Sequence, residues 1–191
     1  MSIHDCWSPY FGFDKSKHAL CCAHLLRELN ALIERGHVWA KEMTELLIQM
    51  KSVAERYKDN EKAEISSYYR NKFRLRYNEI LANAKTEVIP SETRKKSKAE
   101  NLLIRLEKYQ TEIMRFTEDF DVPFDNNQAE RDIRNIKVKQ KVSGGFRTDS
   151  GAADFANTAS VIGTVTKFGK SVIGAVLGLF QGHNPIATAT E

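Results

Sequence analysis

Phe124-Asp-Asn-Asn-Gln-Ala-Glu-Arg-Asp-Ile-Arg-Asn-Ile-Lys-Val-Lys-Gln-Lys-Val-Ser-Gly-Gly-Phe-Arg147 is the stretch from which the rest of the 191-residue chain is read. Asn127 followed three residues later by Glu130 has the spacing of a capping box, which places a helix start there. Ala129, Ile133 and Ile136 give that helix an apolar face, and Glu130, Arg134 and Lys137 line another at i, i+4 and i+7. Lys137, Lys139 and Lys141 alternate with Val138, Gln140 and Val142, and this period of two predicts an extended segment. Ser143-Gly144-Gly145 permits a tight turn. One carboxylate, Glu130, thus stands at the head of an almost wholly cationic run. A metal-dependent enzyme acting on nucleic acid needs that pattern, and an ordinary capped surface helix also produces it.

Outward from this stretch, the bulk numbers describe a soluble globular protein. Hydrophobic residues make up 41% and charged residues 28%, enough for one domain or a domain with an insertion. A net charge of +4 is only mildly basic, so a nucleic-acid surface has to come from clustering. Three cysteines, Cys6, Cys21 and Cys22, with no secretory signal, point to a reducing, cytoplasmic setting. The one long apolar tract, Ala152 to Phe180, is interrupted by Lys167 and Lys170. Its uninterrupted end is far shorter than the roughly 20 residues of a membrane span, so it reads as a buried helical hairpin.

Taken in order, Ser2 to Trp7 reads as the end of a strand that delivers Asp5 at its tip, with nothing before it to pair with. His18 to Cys22 reads as a second strand. From Ala23 the period becomes helical, with Leu25, Leu26, Leu29, Leu32 and Ile33, closed by Gly36. Val38, Met43, Leu46, Leu47, Met50, Val53 and Tyr57 outline one long helix. Ile65, Tyr68, Tyr69, Phe73, Leu75, Ile80 and Leu81 outline another. After Pro90 and the Arg94–Lys98 charge run, Leu102, Leu103, Leu106, Tyr109, Ile113 and Phe116 outline a third. A terminal helical stripe from Phe155 to Phe180 breaks near Gly169, and a small polar tail follows Gly182. The fold class is α/β but mostly helical. Residues 1–36 form partial core, 37–120 a helical insertion, 121–182 core completion and 183–191 a flexible tail.

Asp5 and Glu130 are the candidate metal-binding acids, since hard Mg²⁺ takes oxygen ligands and phosphodiester chemistry needs converging carboxylates. Each has an ordinary explanation: a turn cap for Asp5, and a capping-box glutamate paired with Arg134 for Glu130. Arg131, Arg134, Lys137, Lys139, Lys141 and Arg147 could each neutralise a phosphate; a solvated charged face is the alternative. Gly144 and Gly145 would let backbone N–H groups approach a phosphate. Cys6, Cys21, Cys22, His4 and His24 match no zinc spacing, and buried cysteines on a core strand explain them better. Neither a P-loop nor a nucleophile elbow occurs.

Three segments carry a family resemblance: His4 to Tyr10, His18 to Leu29, and Asp125 to Arg134 continuing to Arg147. On them the chain resembles the insertion-sequence sixty-six family of transposases, DDE recombinases with a ribonuclease-H-like catalytic core. The resemblance implies that Asp5 is the second catalytic aspartate and Glu130 the catalytic glutamate, with the helical region from about His37 to Phe120 as an insertion between them. It implies Mg²⁺ as cofactor, in a two-metal site that is incomplete in this chain, and DNA, both element ends and target, as partner. Asn126, Asn127, Arg131, Arg134 and Lys137 would contact DNA or orient the glutamate. In this chemistry water frees a 3′-hydroxyl, which attacks target DNA by transesterification.

The family's first aspartate matches no residue here. The expectation is therefore a carboxyl-terminal fragment, not active alone, that is truncated or one piece of a split frame. The alternatives are a non-catalytic remnant that binds DNA or associates with full-length transposase or another copy, and a poorly folding product.

Overall fold

β1 (Ser2–His4) and β2 (His18–Leu20) lie parallel, with Ser2 opposite His18, Ile3 opposite Ala19 and His4 opposite Leu20. They belong to a computed structural model that describes residues 1–90 and 95–183, apart from the side chains of Gln128, Ala129, Glu130, Asp132, Ile133 and Asn135. The opening strand therefore has a partner, supplied from downstream. The link between the strands contains a 3-10 helix, Ser8–Gly12, with Pro9 in its first turn. Proline's fixed φ and missing N–H suit that position. The chain divides into two compact units, Met1–Asn126 and from Asn127 onward.

In the first unit the apolar periods become helices. α1 (Cys22–Ile33) buries Cys22, Leu25, Leu29 and Leu32 and stops before Gly36, whose φ of +87° suits a residue without Cβ. α2 (Val38–Asp59) buries Trp39, Met43, Leu46, Leu47, Met50 and Val53. α3 (Ser67–Glu87) buries Phe73, Tyr77, Ile80, Leu81 and Ala84. The expected stripes need correction at three places: Val38, Tyr68 and Leu75 are exposed. In α3 the buried row runs 73, 77, 80 and 84, which puts residue 75 on the opposite side. Tyr77 fills the place instead, and its hydroxyl donates to the Leu106 carbonyl at 2.9 Å.

The single third helix expected over 102–116 is broken into α4 (Lys98–Lys108), α5 (Gln110–Met114) and a 3-10 turn, Arg115–Thr117. The break falls at Tyr109, with φ −113° and ψ 28°, whose ring stacks on Phe11 at 4.3 Å. Residues of β2 and α1 share one buried core with α2–α5, from Ala19 and Leu20 through Trp39 and Tyr77 to Ile113 and Met114. Burial is worth about 1.5–3 kcal/mol for each large apolar side chain, so this core holds the short sheet in place.

The second unit comprises α6 (Asn127–Ser143), α7 (Asp149–Lys167) and α8 (Val172–Phe180). Lys137–Val142 is helical, not extended as its alternation predicts. Val138 and Val142 stand at i, i+4, as do Lys137 and Lys141, so six residues satisfy both periods. Among the described residues α7 buries only Val165 and α8 buries none, so the terminal hairpin is present but not a buried one. Gly169 turns the chain between them at φ +66°. No helix among the described residues is long and apolar enough to cross a membrane.

Candidate functional site

Asp5 is the first residue past the carboxyl end of β1 and is exposed. Its Oδ1 accepts the Trp7 backbone N–H at 3.2 Å, a local turn that fixes the carboxylate's direction. Before it, His4 is buried against the rings of Tyr10, Phe11 and His18, with centroids 4.8, 4.9 and 5.3 Å away. His4 Nδ1–H donates to the Asp5 carbonyl. Its Nε2 faces His18 Nδ1 at 3.1 Å. Asp5 therefore stands on a rigid strand end with its backbone oxygen tied down.

Beside Asp5 opens a cleft of about 270 Å³, rimmed by Asp5, Trp7, Glu28 and Arg105 and floored by Cys21 and Leu25. Arg105 donates to both oxygens of Glu28, one of them at 2.9 Å. Burial pushes the Cys6 thiol up, and the Arg105 guanidinium partly offsets this. Cys21 and Cys22 lie in the core, and Cys22 Sγ rests 3.8 Å from the carbonyls of Leu20 and Ile113. No cluster of three His, Cys, Asp or Glu side chains that could share a metal occurs among the described residues. Asp5 offers the hard oxygen that Mg²⁺ accepts. The side chain of Glu130 lies outside the described residues, so its capping-box bond and its place relative to a metal do too.

Asn126 ties the segment ahead of α6 to this strand end. Its Nδ2 donates to the Ile3 carbonyl at 3.2 Å, and its backbone N–H reaches Cys21 Sγ at 3.2 Å. Two residues earlier, the Phe124 carbonyl accepts from Cys22 N at 3.0 Å. Sequence reading did not anticipate this side-chain clamp, nor the Glu28–Arg105 pair beside Asp5. Neither leaves a periodic trace, because each joins residues far apart in the chain.

In the second unit, Arg131, Arg134, Lys137, Lys139, Lys141 and Arg147 are all exposed. Helical geometry sorts them. Arg134, Lys137 and Lys141 fall at i, i+3 and i+7 on one face, spanning about 10 Å. Arg131 and Lys139 instead line a cleft of about 940 Å³ between α6 and α7, with Val138, Val142, Phe155 and Ile162. Arg131 also donates from Nε to the Asn127 carbonyl at 3.3 Å. None of the six makes an ion pair among the described residues. Like charges at this spacing cost an isolated helix about 0.2–0.5 kcal/mol per pair, a cost that a bound polyanion would remove. At the helix end Gly144 and Gly145 take φ of +70° and +124°, so the sharp turn before Arg147 requires glycine at both.

Compared with known proteins, residues 1–154 match the sequence model described as Transposase IS66 family. That region includes both candidate acids and all six cations. No curated protein and no solved structure matches the chain.

Proposed function

The chain belongs to the IS66 family of transposases, and on that premise we propose that it is the carboxyl-terminal part of a DDE transposase's ribonuclease-H-like catalytic region. In this reading Asp5 and Glu130 are two of the metal-binding acids, and α6 is the DNA-holding helix. The observation that carries it is the row Arg134, Lys137 and Lys141 on one face of α6, exposed and without ion pairs among the described residues. Such a row binds phosphates regardless of sequence. Arg147, beyond the glycine turn, adds a further contact.

Asp5 and Glu130 would hold Mg²⁺, which supplies Lewis-acid activation of water and charge stabilisation at the leaving oxygen. The protein's own part is positional. The Trp7 amide and the His4 ring fix Asp5, and the Asn126 side chain fastens the chain just ahead of α6. The remaining acid of the set would come from outside residues 1–191. A second reading, a non-catalytic DNA-binding or transposase-associating protein, is favoured by the basic row itself, which needs no metal to bind DNA.

The test is a completed catalytic region carrying Asp5→Asn or Glu130→Gln, assayed on DNA with the element's ends. Retained binding with loss of Mg²⁺-dependent cleavage is expected for each variant. Cleavage that survives Glu130→Gln removes that residue from the mechanism. Binding without cleavage by the unsubstituted protein selects the second reading.

A further inference from the structure

The 3-10 helix that follows Asp5 divides its aromatic residues into two sets. Phe11 points inward, stacked on Tyr109 at 4.3 Å with an interplanar angle of 11°, and packs against His18 at 5.3 Å. Together with buried His4 it anchors the turn to the core. Trp7 and Phe13 are left outside, with 60% and 64% of their surface exposed, and Tyr10, 36% exposed, has its ring against His4 at 4.8 Å. Trp7 and Tyr10 meet edge to face at 5.4 Å. Pro9 and the bonds Tyr10 N–H to Trp7 O (3.2 Å) and Phe13 N–H to Tyr10 O (3.3 Å) hold the backbone, so the display is preorganised. Lys15 and Lys17, both exposed, come next, with the exposed Asp14 between Phe13 and Lys15.

Three exposed aromatics on a rigid turn incur a hydration cost that folding does not recover. Rigid aromatic faces beside lysines are what unpaired nucleotides require: bases stack on the rings while cations take the phosphates. Duplex DNA hides its base faces and cannot use such a surface. The location adds a constraint, because the Trp7 backbone N–H is bonded to Asp5 Oδ1. A strand whose phosphodiester reaches Asp5 brings a neighbouring base within reach of the Trp7 ring.

We propose that Trp7, Tyr10 and Phe13, with Lys15 and Lys17, form a stacking platform for unpaired nucleotides flanking the phosphodiester presented to Asp5. This deepens the reading of Asp5 as an active-site acid and rests on it for the position of the strand. It assigns the substrate at that point as locally single-stranded DNA.

The experiment uses the full chain without metal, in EDTA, and compares labelled oligothymidylate with a duplex of equal length by fluorescence anisotropy. Tryptophan emission is followed in parallel. The chain has two tryptophans, and Trp39 is buried, so quenching reports on Trp7. Oligothymidylate is expected to quench that emission. Trp7→Ala and Phe13→Ala should each weaken single-strand binding roughly 5- to 150-fold and leave duplex binding within about twofold, while Trp7→Phe retains most of the affinity. Unchanged single-strand binding in both alanine variants overturns the platform, as does equal loss on both DNAs. Loss of self-association in place of DNA binding overturns it too, in favour of a protein-docking surface. Neither metal nor cleavage enters the assay, so a failure of the two-acid reading leaves its result standing.

Discussion

Cys22 and Tyr77 are acids kept neutral by the core, and their protonation ties stability to alkaline pH. Burial lifts the Cys22 thiol and the Tyr77 phenol far above their ordinary ranges. In the unfolded chain the thiol releases its proton above about pH 8.5 and the phenol above about pH 10. The unfolded state therefore binds fewer protons there than the native state, and stability falls as pH rises. The contribution is fully present below pH ~8.5. We expect the melting temperature to decline from that point upward, and Cys22→Ala to flatten the first part of the decline. A melting temperature independent of pH up to about 10 would refute the assignment. At this scale the sequence was informative about chemistry and silent about partners. Cys21 and Cys22 were expected buried on a core strand; both are buried, but β2 ends at Leu20 and Cys22 opens α1. That Asn126 spends its side-chain amide on Ile3 was not readable, because nothing local distinguishes that asparagine from Asn127.

Among the elements, α2 has no side-chain cap of its own. Glu87, at the end of α3, supplies one: its carboxylate accepts from Val38 N–H at 3.2 Å, Trp39 N–H at 3.3 Å and His37 Nδ1 at 3.0 Å. A carboxylate at a helix amino terminus satisfies otherwise unpaired donors and opposes the helix dipole. Glu87→Ala should cost about 1–2 kcal/mol, lowering the melting temperature by roughly 2–8 °C; an unchanged melt would show the cap to be idle. α4 has the capping box that the stretch at Asn127 was read to have: Ser97 Oγ accepts from Glu100 N at 3.1 Å, and Glu100 accepts from Ser97 N at 2.5 Å. Helices α1 to α3 were legible because their apolar rows are long. α6 was legible at its start and misread at its end, where a six-residue alternation of lysine, valine and glutamine cannot separate a period of two from a period of four.

For the whole molecule, the mostly helical architecture with a strand tip at Asp5 was legible, and the pairing of that strand was not. A three-residue strand has too few side chains to announce its neighbour, and its register follows from the core beneath β2. The spread of cations along α6 makes a thermodynamic prediction. Duplex binding should weaken with salt, log K falling by about 0.9 per phosphate neutralised for each unit of log salt. Replacing Lys137 and Lys141 together by Gln should reduce that slope by about 2. A slope that does not change would place the DNA elsewhere.

The central proposal, that Asp5 and Glu130 are both metal-binding acids, is tested most directly by nuclear magnetic resonance during titration with Mn²⁺, an oxygen-seeking paramagnetic substitute for Mg²⁺. The account predicts that backbone amide signals around Asp5 to Trp7 and around Asn127 to Arg131 broaden together. It also predicts that Asp5→Asn and Glu130→Gln each weaken the broadening at the substituted segment. Broadening at only one of the two segments, or scattered over the exposed carboxylates and indifferent to either substitution, would contradict it.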